Sequence, residues 1–227
     1  MAKSSGGTRL KGSTGDAEFD IIGGFNIPVG VARRQDKIAS INTYNKLRDY
    51  LAESGIKLQT GLPEMEQRGD EEMKMVAAMA QKIVVAIESF KTLYGDQSMS
   101  ALKSIILSDK TLDVTASYMF NEKGENDPMA GTIRIRSLFS SARDIFHEVG
   151  HAFIDSIKKP GEDLLQASTR LINDVGMSDK IQAYSGAKGE HRDAERVAEA
   201  FGLGFTTGGK EYDEFIYRLR NYLKKNK

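Results

Sequence analysis

Ile145-Phe146-His147-Glu148-Val149-Gly150-His151-Ala152-Phe153 is the stretch from which the chain is read. Two histidines stand four positions apart, and a glutamate directly follows the first. On an α-helix, positions i and i+4 share one face, so both imidazoles can reach a single metal ion. Glu148 is then near enough to take a proton from water activated there. H-E-x-x-H on a helix therefore predicts zinc-assisted hydrolysis, with His147 and His151 as ligands and Glu148 as general base. The flanking residues favour a helix over Ser141 to Lys158. Ser140 or Ser141 can cap it, with Asp144 three residues after Ser141, close to a capping-box pattern. Lys158-Lys159-Pro160-Gly161 supplies dipole-favoured cations and then breakers. Ile145, Val149, Ala152, Phe153 and Ser156 form a mostly apolar stripe that anchors the helix and so fixes the imidazoles. Gly150 costs about 1 kcal/mol of helix propensity relative to Ala, which a close approach by another helix or by substrate would explain.

The sequence has no cysteine among its 227 residues. Thiolate ligands, a cysteine nucleophile and disulfides are thereby excluded, and a metal must sit on His, Asp or Glu. A catalytic zinc takes three protein ligands and keeps one position open. The third ligand must come from another segment. His191 is the remaining histidine, but Glu195 and Glu199 stand four apart on a better helix, about Arg192 to Phe205. Val197, Ala198, Phe201 and Phe205 bury its inner side, which leaves both carboxylates at the margin, facing outward to a neighbouring helix. Spacing alone leaves the choice between them open.

Formal net charge is zero, so no nucleic-acid or anionic-membrane partner is expected. No apolar run approaches the roughly 20 residues of a membrane span. Met1 to Asp16 lacks the apolar region of a secretory signal. Cytoplasmic location is the simplest expectation, with leaderless delivery or a phage-associated location as alternatives.

Residues 1–18 read as a flexible tail, too poor in apolar surface to offset ordering. Residues 19–69 read as an N-terminal arm and helix packed on the main domain. Within them, Ile21 to Val31 is an irregular strand or docking arm, and Asp36 to Ser54 has helical spacing. Residues 70–227 form the main domain. A helix over Asp70 to Tyr94 carries Val76, Met79, Ala80, Ile83, Val84, Ile87 and Phe90 as a core stripe. Short strands follow at Ser104 to Ser108, Ala116 to Asn121 and Thr132 to Arg136. After the Ser141 helix come the helix from Arg192 and a last one over Lys210 to Lys225. Helices, a small mixed sheet and more helices make the expected class α+β.

Two motifs together resemble a known family. HEVGHAF (147–153) followed by AYSGAKGEHRDAERVAEAF (183–201) is similar to the metallopeptidase domain of anthrax lethal factor and the related Pro-Pro endopeptidases. These are gluzincin-type zinc peptidases. The resemblance implies a zincin-like fold, Zn²⁺ as cofactor and a peptide or protein as substrate. It implies Glu195 as third ligand, Glu199 as a carboxylate orienting a ligand histidine, and Tyr184 as the hydroxyl that stabilises the oxyanion. The strand Thr132 to Arg136 then resembles the sheet edge along which such enzymes lay an extended peptide; Arg134 and Arg136 there would favour acidic substrates or, the commoner outcome for strand charges, simply be solvated. Proline specificity is not implied, since no residue here accounts for it.

The expected function is thus a zinc-dependent endopeptidase. Another H-E-x-x-H peptidase type, such as a repressor-cleaving intracellular gluzincin, is the nearest alternative. A non-catalytic zincin-fold binding or structural module, phage- or secretion-associated, is the alternative of a different class. The start Ser4-Ser5-Gly6-Gly7-Thr8-Arg9 resembles those of phage head-associated proteins, a weak low-complexity likeness.

Overall fold

The computed structural model describes residues 19–22, 25–60, 70–108, 113–120, 127–136, 138–183 and 187–226. The segment expected as a tail lies outside them. Phe19–Ile22 (β1) and Phe25–Pro28 (β2) pair as an antiparallel hairpin. Pro28 then leads into a short helix, Val29–Ala32 (α1), its fixed φ suiting a helix start. The helical spacing over Asp36 to Ser54 resolves into two helices, Gln35–Ser40 (α2) and Tyr44–Glu53 (α3). The break is chemical: the Thr43 side chain accepts the Lys46 N–H and starts α3 afresh, as an N-cap threonine does.

A four-stranded mixed sheet follows. Its strands are Lys57–Thr60 (β3), Ser104–Leu107 (β4), Ala116–Met119 (β5) and Thr132–Ile135 (β6), in the order β3-β4-β6-β5. β3, β4 and β6 run parallel, and β5 lies antiparallel to β6 at the edge. β3 carries a single apolar residue, Leu58, so its strand character comes from pairing with β4 rather than from patterning. The crossover from β3 to β4 includes the long helix Asp70–Tyr94 (α4). Every residue of its expected stripe is buried.

Four further helices complete the fold: Ala142–Ser156 (α5), Leu164–Val175 (α6), Arg192–Gly204 (α7) and Lys210–Lys225 (α8). The class is α+β, a small mixed sheet packed on helices. Sequence reasoning passed over α6, although Asp163 and Gln166 form a full capping box at its start. Its buried face mixes Leu164 and Leu171 with Ala167 and Ser168, which dilutes the apolar signal. Ser141 caps α5, with Asp144 returning a bond to the Ser141 backbone. Lys82 of α4 ties down the approach to α5 by donating to the Ser140 carbonyl at 2.7 Å.

The core centres on aromatic rings contributed by α4, α5 and α7. Phe90 meets Phe153 and Phe201 at centroid distances of 5.2 and 4.8 Å, and Phe153 meets Phe201 edge-on at 5.4 Å. Such tilted contacts suit the ring quadrupole. Gly150 belongs to this junction. A Cβ there would stand 2.9 Å from Phe201 Cδ2 and 3.4 Å from Ala198 Cα. The missing side chain is therefore what lets α5 and α7 pack so closely.

Gly150→Ala is expected to lower the urea midpoint. Overpacking costs about 1–3 kcal/mol, against about 1 kcal/mol regained in helix propensity, and fully buried Phe201 has little room to yield. A midpoint above that of the unmodified protein would show that α5 and α7 do not need this contact.

Candidate metal centre

α5 and α7 lie face to face, and their facing turns carry the titratable groups. His147 Nε2 and His151 Nε2 are 3.2 Å apart. One Glu195 oxygen lies 3.2 Å from His147 Nε2, and the other lies 3.3 Å from His151 Nε2. Zinc at about 2.0–2.1 Å from each of three tetrahedral ligands would separate them by about 3.3 Å. The two imidazole nitrogens therefore stand near the spacing such an ion requires, each faced by a different Glu195 oxygen; one donor atom from each of the three residues lies within 4.8 Å of the others, and all three residues are of types zinc accepts. Among the described residues this is the one group of three that could hold a metal ion.

Both histidines are buried and Glu195 is partly so. Burial pulls the His147 pKa down, but Glu195 and Glu199 outweigh it and leave the imidazole raised to about 10. Glu195 is opposed by burial yet driven well below the usual carboxylate range by the two histidines. Charge pairing inside the cluster thus substitutes for a cation.

Glu148 is 8 % exposed. Burial raises its pKa, while the two imidazoles and the backbone N–H of Tyr118, which donates to its carboxylate, pull the other way. That N–H belongs to edge strand β5, so the glutamate is fastened to the sheet. The Tyr118 hydroxyl in turn donates to Asp155 at 2.6 Å, one turn beyond His151 on α5. β5 and the helix are therefore joined by two bonds.

Glu199 lies behind His147. One of its oxygens accepts from Arg143 Nη2, and the other is 3.4 Å from His147 Nδ1. The carboxylate is almost fully buried, at 3 % exposure. Expected ligands and the expected supporting glutamate are thus brought together, whereas Tyr184 lies outside the described residues. Sequence reasoning missed Arg143, whose signal was its place four residues before His147. It also missed Tyr118, which has none, because only sheet order puts its N–H on Glu148.

The cleft in front of these groups has a volume of about 370 Å³. Val114 to Tyr118 form one wall, while Leu164, Ala187, His191 and Ala194 contribute elsewhere to its lining. The expectation that Thr132 to Arg136 forms the edge is corrected: β6 lies inside the sheet between β4 and β5. Chain order hid this, because the segment preceding β6 adds to its outer side as β5. Arg134 is consequently on an interior strand, and Arg136 donates to the Asp113 carbonyl.

Compared with known proteins, the chain matches no family model and no curated sequence.

Arg196, next to Glu195, does a different task. Its guanidinium is buried and donates to the carbonyls of Ile181 at 2.8 Å and Ser178 at 3.1 Å. It thereby fixes to α7 the segment that leads toward the cleft wall at Ala187.

The neighbours that raise the His147 pKa favour a proton on this imidazole at neutral pH, and a zinc ion bound there would have to displace it. The sign follows from the raised pKa. Stabilisation from protonated His147 is complete below its ordinary value of 6.5 and is lost as pH rises toward about 10. Zinc uptake at pH 7.5 is therefore expected to release about one proton from this imidazole, read by titration calorimetry in buffers of different ionisation enthalpy. Uptake without proton release would contradict a protonated resting site.

Proposed function

We propose that this chain is a zinc-dependent endopeptidase of zincin-like fold, with His147, His151 and Glu195 as ligands and Glu148 as general base. The observation that carries the reading is the convergence of two imidazole Nε2 atoms, 3.2 Å apart, on a carboxylate whose two oxygens lie 3.2 and 3.3 Å from them, with buried Glu148 on the adjoining helical position. Bound zinc supplies Lewis acidity, acidifying water toward about neutral pH and polarising a carbonyl.

The chain's own residues do the rest. Glu148, its proton affinity raised by burial, accepts a proton from the attacking water and passes it to the leaving amine nitrogen. The Tyr118 N–H keeps that carboxylate from swinging away. Glu199 faces Nδ1 of His147, so the proton on this ring is favoured at Nδ1 and the Nε2 lone pair is directed to the ligand cluster. Tyr184 is proposed, from the family resemblance, as the donor to the developing oxyanion.

The substrate reading rests on β5. Its Thr115 carbonyl neighbour accepts from Arg136 N–H, and the alternation of a strand then turns Ser117 and Met119 toward β6. Ala116 and Tyr118 point their backbone groups to the other edge, with which no described strand pairs; the Tyr118 N–H there is taken by Glu148, which leaves the Ala116 groups and the Tyr118 carbonyl. An extended peptide can add there by main-chain bonding, placing a scissile carbonyl in front of Glu148. No observation favours the non-catalytic module.

Glu148→Gln is expected to keep zinc at one ion per chain and to lose peptide-library cleavage by at least about a hundredfold. Retained cleavage would remove Glu148 from the role. Glu195→Ala is expected to lose most bound zinc in metal analysis, and Glu199→Ala to weaken zinc by about 10–100-fold. The reverse order would exchange their assignments.

A further inference from the structure

Arg143 is not used by the chemistry above, yet it is the cation in contact with the buried end of the ligand network. It stands one turn before His147 on α5 and is 39 % exposed on its side chain, lining the cleft. Its Nη2 donates to one oxygen of Glu199, whose other oxygen faces His147 Nδ1 at 3.4 Å. We propose that Arg143 is a positioning residue for the metal centre, acting on His147 only through Glu199. This rests on the ligand assignment made under the proposed function.

Three observations support it. Glu199 is enclosed, so an unbalanced charge there would be costly and a cation must accompany it. The two histidines are also unequal. Neither Nδ1 closes a hydrogen bond of ordinary geometry, but that of His147 faces a Glu199 oxygen at 3.4 Å, whereas the ion pair of His151 is made through Nε2. The orientation of His147 is thus the one that a carboxylate can set, and 3.4 Å is long for a hydrogen bond. Whatever fixes Glu199 therefore decides whether the contact holds.

The third observation is the floor on which this arrangement lies. A Cβ at Gly202 would stand 3.1 Å from the Arg143 carbonyl oxygen, 3.3 Å from Arg143 Cγ and 3.5 Å from His147 Cβ. Arg143 and His147 both lie close over the same bare patch of α7. The patch brings the arginine stem and the imidazole within reach of Glu199 together, less than one turn away on the same helix. Guanidinium geometry suits such a carboxylate better than a lysine ammonium does.

The experiment is a double-mutant cycle on zinc affinity, measured in the full chain by competition with a chromophoric chelator. Arg143→Gln is expected to weaken zinc by about 10–100-fold, the usual effect of removing an outer partner of a ligand histidine. In a Glu199→Gln background the same change is expected to cost less than about twofold, because the link it acts through is already cut. Equal losses in both backgrounds, or no loss in the first, overturn the proposal. Circular dichroism of the metal-free proteins checks folding. If Arg143→Gln does not fold, Arg143→Lys made with and without Glu199→Gln carries the same comparison, with additivity again the overturning result. Failure of the ligand assignment looks different: the unmodified chain would bind no zinc, or Glu195→Ala would leave the zinc affinity unchanged.

Discussion

The close approach of α5 to α7 is the constraint on which the centre depends. Glu195 and Glu199 have short reach, and the imidazoles they meet project from another helix. Bulk at the crossing would push the carboxylates out of contact. Gly150 on one helix and Gly202 on the other remove that bulk, and the Phe90, Phe153 and Phe201 rings close the gap below with apolar surface. Backbone contact and aromatic packing together therefore set the distances between ligand atoms. Helices hold such distances better than loops do.

The same crossing creates an electrostatic problem and answers it locally. Glu148, Glu195 and Glu199 are drawn into one low-dielectric region, where lone charges are expensive. Each has an opposing partner: Glu195 the two imidazoles, Glu199 the guanidinium of Arg143, and Glu148 the imidazoles with a backbone N–H. The same carboxylates raise the His147 pKa and so favour a positive charge on its imidazole.

Much of this was legible in the sequence because helices write their contacts at fixed intervals. The four-residue spacings of His147 with His151 and of Glu195 with Glu199 named both faces that meet, and Ser141 with Asp144 marked where the first helix starts. Gly150 signalled a close neighbour without saying which. Sheet order was not legible: β6 alternates as an edge strand would, and only β5 lying outside it moves the edge. β3 was silent because its residues are mostly polar, and α6 was muted by Ala167 and Ser168 at buried positions. Arg143 stood four residues before His147, on the same helix face, but a lone helical arginine does not name the carboxylate it meets.

Arg196 carries one more consequence. By gripping the carbonyls of Ser178 and Ile181, it anchors the chain at a point fixed relative to α7, and α7 itself begins at Arg192. Both ends of the intervening span are thus tied to the same rigid body. Its length is uncoupled from the placement of Glu195, and lengthening such a span costs little in closure entropy. Length changes in the stretch at Ala187 to His191 would alter that part of the cleft lining while leaving His147, His151 and Glu195 where they are.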